Sequence, residues 1–255
     1  MHQRSSHAGF TLIEGIIAIG IISTAMLVGL GLAISNLTAA QANSDRIIAA
    51  NLAREGIEVV RHIRDSNWLR QDANVDKDDD ANNSKLTFYS WDDFYDSWPL
   101  PTTLDCGLGD PDDCGNYFDI VLDTSDFSYT LKAAPAQDAI ACIADPGSNP
   151  GCRVRKNATG TGSVYVNDAL APETTIFFRR ILLKPICWDA LEEVENVQYD
   201  AISDVNMTCD DDDGDPVAEN KIGVLVTSQV VWQRGNKTLE ARIKERLYNW
   251  QGATL

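Results

Sequence analysis

Hydrophobic and polar positions change their period twice along the chain. From Phe10 to Ile34 the residues are apolar on every side, broken only by Glu14 and scattered Gly, Ser and Thr. No charged side chain occurs from Gly15 to Asn43, and about 20 such residues cross a bilayer as a helix. From Gln41 to Asp65 the pattern becomes one-sided. Ile48, Leu52, Val59 and Ile63 recur at helical spacing, while Arg46, Arg54, Glu58 and Arg61 fall elsewhere. No Pro precedes Pro99. The pattern therefore predicts one helix from Phe10 to about Ile63, or about 80 Å at 1.5 Å per residue. Gly29 and Gly31 are its weak points, each costing up to ~1 kcal/mol relative to Ala.

After Trp68 the chain becomes rich in loops, and the next clear signal has a period of two. Asn116–Asp123 and Phe127–Ala134 read as a strand pair, and Thr175–Ile186 as a strong strand. In the last hairpin, Ile222, Val224, Val226, Val230 and Trp232 share one face. Leu239, Ala241, Ile243 and Leu247 point the same way, with Glu240, Arg242, Lys244 and Arg246 outward. Arg234–Lys237 supplies the Gly and Asn of a tight reversal. The predicted fold class is α+β, with the amphipathic half of a long N-terminal helix covering the apolar face of an antiparallel sheet. The other face of that sheet is expected to meet water.

Charge sharpens this picture. Of 255 residues, 38 are acidic and 21 basic, a formal net charge of −17. A surface this acidic repels phosphate backbones, so nucleic acid is not an expected partner. The acids cluster in Asp72–Asn83, Leu104–Asn116 and Cys209–Asp215, read as solvated loops. Calcium wants six to eight oxygens, and Asp211, Asp213 and Asp215 at alternate positions are its weak candidates. They do not fit the EF-hand spacing, and no cofactor is expected otherwise.

Six cysteines, Cys106, Cys114, Cys142, Cys152, Cys187 and Cys209, all follow the apolar run, and none forms a CxxC pair. Their even number behind a membrane-targeting segment predicts disulfides in an oxidising compartment. Of the 15 pairings open to six cysteines, short intervening loops favour neighbours: Cys106–Cys114, Cys142–Cys152 and Cys187–Cys209. Only three histidines occur, and His62 alone lies beyond the apolar run, on the polar side of a helix. With no base for a Ser-His-Asp or Cys-His site, the chain is not expected to be an enzyme. Leu86–Trp98 is aromatic and acidic and reads as a packed connection, or as an aromatic platform for carbohydrate.

The N-terminal flank gives the apolar run its meaning. Residues 1–9 are polar and slightly basic through Arg4, which predicts a cytoplasmic N-terminus and an exported C-terminal part. The small residues Ala8 and Gly9 precede the run, so a cut there would leave it attached as an anchor. Gly9 followed by Phe10, Thr11, Leu12, Ile13 and Glu14 resembles the start of the type IV pilin and pseudopilin family. Leu52–Trp68, with the C-terminal hairpin ending Leu247–Trp250, is similar to its minor pilin and type II secretion pseudopilin branch. A helix-breaking Pro common in the family is replaced here by the Gly29–Gly31 region.

The resemblance implies a prepilin peptidase cutting between Gly9 and Phe10, and methylation of the new Phe10 amine. It implies that Glu14 partners the free amine of a neighbouring subunit during assembly. It further implies other pilin or pseudopilin subunits, an inner-membrane assembly platform and membrane lipid as partners. The expected organisation is a leader at 1–9, a transmembrane and filament-core helix at 10–34, an amphipathic extension at 35–66 and an exported β-rich head at 67–255. The implied function is a structural filament subunit; the alternative is a tip or adhesin module carried on the same stalk.

Overall fold

The computed structural model describes residues 11–73, 91, 116–122, 129–134, 139–144, 152–159, 162–166, 173–189, 194–197, 209 and 220–249. The chain divides into two compact units, Met1–Ile47 and Ile48–Leu255. One helix, α1 (Leu12–Asp72), contributes to both. It runs past the Ile63 limit that periodicity predicted. The added turns are held by tertiary packing: Asn67 and Trp68 are buried.

In the first unit every large apolar side chain of α1 from Leu12 to Leu37 is exposed. In the second unit α1 turns one face to an antiparallel sheet. The strands are β1 (Asn116–Leu122), β2 (Tyr129–Ala133), β3 (Arg153–Thr159), β4 (Gly162–Val166), β5 (Glu173–Asp189), β6 (Val194–Val197), β7 (Asn220–Arg234) and β8 (Lys237–Tyr248). A short helix, α2 (Ala139–Ala144), lies between β2 and β3.

The long strand β5 organises the sheet. Along one edge it pairs with β7, which pairs with β8. Along the other it meets β3, β1 and β6 in succession, and β4 and β2 flank β3 and β1. Pro185 falls between the β1-paired and β6-paired stretches of β5. A missing donor there interrupts no ladder on that edge. The β7–β8 turn has two residues, Gly235 and Asn236. Gly235 sits at φ 60°, a conformation that costs Gly nothing and a branched residue much.

Side-chain alternation then builds two faces. On the helix side, Ile57, Val60 and Ile63 of α1 pack with Phe118, Ile120, Ile181, Leu183, Val224 and Val226. One turn earlier, Ala49, Leu52 and Ala53 meet Val154, Phe177, Val230 and Trp232. Each buried Val, Leu or Ile contributes about 1.5–3 kcal/mol, so this face carries most of the stability of the unit. Ala49, Ala53 and Gly56 let the helix approach closely.

The second face departs from the expectation that it would meet water. Ala139 and Cys142 of α2, with Cys152, cover Phe178 and Val231. Tyr117, Ala134 and Leu182 form a further small cluster. Gln229 on β7 accepts a hydrogen bond from the Ala139 backbone N–H at 2.9 Å, which ties α2 down. A strand buried on both faces has no polar side, so the period-two signal of β5 is lost in a continuous apolar run.

Two adjacent arginines interrupt that run, one per face. Arg179 points at α1 and is fully buried. It donates to the carbonyls of Leu52 and Tyr165, each at 3.3 Å, and lies 3.7 Å from the Glu55 carboxylate. Arg180 points the other way. It lies 3.1 Å from Cys152 Sγ, 3.5 Å from Cys142 Sγ and 3.2 Å from the Asp119 carboxylate. Burial pushes the carboxyls of Glu55 and Asp119 above the usual range, against the pull of Arg179 and Arg180 respectively. Burial pushes Arg179 down, opposed mainly by Glu55.

Candidate processing and assembly segment

The N-terminal part of α1 is where sequence reasoning put the functional residues. Gly9 and Phe10 lie outside the described residues. The helix begins just after Thr11, whose carbonyl accepts the backbone N–H groups of Glu14 at 3.1 Å and Gly15 at 3.2 Å. Glu14 therefore sits in the first helical turn. There the unpaired N–H groups carry partial positive charge, which favours a carboxylate.

Glu14 is also the sole ionisable residue from Thr11 to Ser44. Around it Leu12, Ile13, Ile16 and Ile17 are all more than half exposed. An 18-residue window of the helix has mean hydropathy 2.4 with none of it buried inside the protein. The helix is thus long and apolar enough to cross a membrane. Hydroxyls in this stretch are quenched by the helix itself: Ser23 donates to the Ile19 carbonyl at 2.7 Å, and Thr38 to the Ile34 carbonyl at 2.9 Å. Thr24 does the same toward Gly20 and Ile21. Each of these polar groups finds an acceptor on its own helix. A carboxylate accepts only, so among its own helix's groups it can turn only to the free N–H groups of the first turn. In hydrocarbon an isolated acid costs about 2.5–3.5 kcal/mol on insertion scales. Within hydrocarbon, a carboxylate at this position would call for a cationic or donor-bearing neighbour.

The remaining predicted residues fall as follows. Cys142 is bonded to Cys152 and Cys187 to Cys209, the neighbour pairing. Cys106 and Cys114 lie outside the described residues, as do Asp211, Asp213 and Asp215. Among the described residues no group of three or more His, Cys, Asp or Glu is placed to hold a metal ion. His62 is exposed on α1. Trp91, the one described residue of the aromatic segment, is buried in the main core with the Lys221 ammonium 5.7 Å from its ring. Sequence reasoning missed Glu55, Asp119, Arg179 and Arg180. The signal was present in the paired arginines of Phe177–Leu183, a charged pair in an otherwise apolar stretch of β5.

Comparison with curated proteins yields no match to this chain, and no solved structure matches it. Residues 4–30 match the prokaryotic N-terminal methylation motif. That span contains the acid, the apolar helix around it and the residues just before them. The chain thus carries the prepilin-type signature of type IV pilins and related proteins.

Proposed function

We propose that the protein is a minor pilin or pseudopilin, a structural subunit of a type IV pilus or type II secretion-type filament. It is inserted in the membrane as a prepilin with its N-terminus in the cytoplasm. Residues 1–9 are removed by a prepilin peptidase, Phe10 is methylated, and the helix from Phe10 to about Ile34 becomes the assembly element. Residues 35–66 extend it, and residues 67–255 form the exported head. The mature subunit leaves the bilayer for a filament built with other subunits on an inner-membrane platform.

The observation that carries this reading is the solitary Glu14 in an otherwise uncharged, outward-facing apolar helix that starts at the motif. The amine of a neighbour's Phe10, exposed by the cut, is a cation at matching depth. A mis-staggered subunit leaves both charges unpaired, so the pair sets register as well as affinity. The test is the mass of the N-terminal peptide from protein purified out of membranes or filaments. N-methyl-Phe10 is expected. A chain that starts at Met1 in the mature fraction overturns the reading.

A further inference from the structure

The second face of the sheet buries a disulfide against a cation. Cys142 of α2 is bonded to Cys152, just before β3, and both residues are fully buried. Against the bond lies Arg180 of β5, itself 1% exposed. Its guanidinium donates from Nε to Cys152 Sγ at 3.1 Å and from Nη2 to Cys142 Sγ at 3.5 Å. Nε and Nη2 form one edge of the planar fork. Nη1, outside that edge, lies 3.2 Å from the Asp119 carboxylate. The cation thus touches both sulfurs with one edge and its counter-charge with another. A disulfide sulfur is a weak acceptor, whereas a thiolate makes a charge-assisted bond to a guanidinium. The fork is therefore better matched to the reduced pair than to the bond it meets. Among the described residues no guanidinium donates to Cys187–Cys209. Lys221, the register partner of Cys187, places its ammonium 5.7 Å from the Trp91 ring.

We infer that Cys142–Cys152 is a reversible redox site, opened by a dithiol reductant with the help of Arg180, and that its reduction frees α2 from the sheet. Both cysteines are buried, so exchange waits for α2 to lift. α2 has six residues, with Ile140 and Ala144 exposed, and so short an element opens locally at low cost. A reductant thiolate then attacks Cys142 Sγ. The S–S bond breaks, and Cys152 departs with the electron pair as a thiolate against Arg180 Nε. Pairing with the guanidinium makes it the better leaving group. The second reductant thiol, deprotonated, attacks the mixed disulfide. Cys142 leaves as the second thiolate and the reductant departs as a disulfide. Two electrons pass to the protein, and the two protons of the dithiol pass to solvent or to the cysteines. In an oxidising compartment the bond stays closed. Reduction removes the covalent tie and leaves α2 held by non-covalent contacts, the Ala139–Gln229 hydrogen bond among them. A fixed cover over Phe178 and Val231 becomes a flap. The site does not depend on the filament reading.

The test equilibrates the full-length chain in mild detergent with mixtures of reduced and oxidised dithiothreitol at about pH 8, near the ordinary thiol range. Acid quenching and alkylation, read peptide by peptide, give the fraction of each pair reduced. In wild type, Cys142–Cys152 is expected to open at a lower reduced-to-oxidised ratio than Cys187–Cys209. Arg180→Met/Asp119→Asn removes the cation without leaving its counter-charge alone. There the bond should need a ratio about tenfold higher, the scale of one charge-assisted hydrogen bond, or about 30 mV for two electrons. Direction separates this from a packing role: loss of an arginine that merely held α2 in place would make the bond easier to reduce. Arg180→Gln/Asp119→Asn serves if the methionine variant misfolds, and urea midpoints of the oxidised proteins report folding. Equal or easier reduction in a folded variant overturns the inference, as does a wild-type bond that opens no sooner than Cys187–Cys209. Backbone exchange at Ala139–Ala144 should quicken on reduction while β7 and β8 keep theirs. Unchanged exchange in the reduced protein would overturn the release of α2.

Discussion

Gly56 of α1 sits against Ser228 of β7 so closely that a Cβ on the glycine would lie 2.4 Å from the serine Oγ and 2.7 Å from Ile181 Cδ1. Ile181 and Ser228 are register partners across β5 and β7, and Ser228 faces Ile243 across β8. The helix thus touches down at the row where three strands align. Alanine at position 56 gains up to ~1 kcal/mol of helix propensity, while overpacking a filled core costs about 1–3 kcal/mol. Gly56→Ala is expected to destabilise by about 1–2 kcal/mol, and Gly56→Val by more. Ser228→Gly in the alanine background should restore part of the loss. The readout is the urea midpoint of the detergent-solubilised chain, followed by tryptophan fluorescence. An alanine variant as stable as wild type would mean that the helix has room to lift.

Arg179 is completely buried, with Glu55 and two backbone carbonyls among its partners. Removing one member of a buried pair leaves the other uncompensated and costs about 3–5 kcal/mol. The Glu55 side chain keeps 30% exposure, which puts Arg179→Met near the lower end, about 3 kcal/mol. Arg179→Met combined with Glu55→Met should be less damaging than Arg179→Met alone. If the two losses simply add, the residues are not coupled.

Glu55 also gives a pH signature. Its folded carboxyl titrates above the ordinary value because burial outweighs Arg179. Between the ordinary and the raised value the folded state binds more protons than the unfolded state, so stability falls as pH rises through that window and is flat above it. Glu55→Gln removes this dependence. Wild type and variant should match most closely at acid pH, with the variant gaining relative stability as pH rises from about 4, the ordinary glutamate range. Asp119 has the same slope in both proteins and cancels. A stability difference independent of pH would show that Arg179 fully compensates the burial.

How far these features could be foreseen depends on whether their cause is local. The amphipathic part of the helix through Ile63 and strand β8 declare themselves, because one face meets the core and the other is more exposed, and Gly235 marks the β7–β8 turn. The place of Glu14, in the first turn of an apolar helix, is legible from its immediate neighbours. The last turns of α1 are not legible, since Asn67 and Trp68 are buried by contacts distant in sequence. Neither is the cover on the second sheet face. α2 is only six residues, Ala139–Ala144, too short for periodicity, and it is held by Cys142–Cys152 and Gln229. Arg179 and Arg180 read as a polar interruption. Only the three-dimensional neighbours, Glu55 on one face and Asp119 on the other, explain why a central strand tolerates these two arginines.

The two described disulfides join residues 10 and 22 apart in sequence. The chain-entropy argument gives each about 3 kcal/mol, somewhat more for the longer loop. Cys142→Ala/Cys152→Ala should also loosen α2, because those two side chains are part of the cover over Phe178. Its expected effect is a loss of about 2–4 kcal/mol in urea unfolding, with faster backbone exchange at Ala139–Ala144. A loss below about 1 kcal/mol, with exchange unchanged, would show that Gln229 holds α2 without the bond.

Processing and assembly should come apart under mutation, because the proposed function assigns them different residues. Gly9→Val puts a branched side chain at the proposed cut and is expected to leave the chain at precursor size on an immunoblot. A mature-sized product would move the cut elsewhere. Glu14→Ala leaves the cut site intact and removes the carboxylate, so normal-sized mature protein is expected in the membrane. Incorporation should nevertheless fail. If Glu14 pairs with a neighbour's Phe10 amine as proposed, an arriving subunit would leave that amine unpaired in hydrocarbon, and the 2.5–3.5 kcal/mol scale for such charges corresponds to about a hundredfold in partition. Glu14→Gln keeps the shape and an acceptor oxygen without the charge. If charge pairing is what selects register, Gln should be nearly as defective as Ala in the sheared filament fraction. If a hydrogen bond suffices, Gln should assemble and Ala should not, which would leave Glu14 at the assembly contact but change the force that acts there.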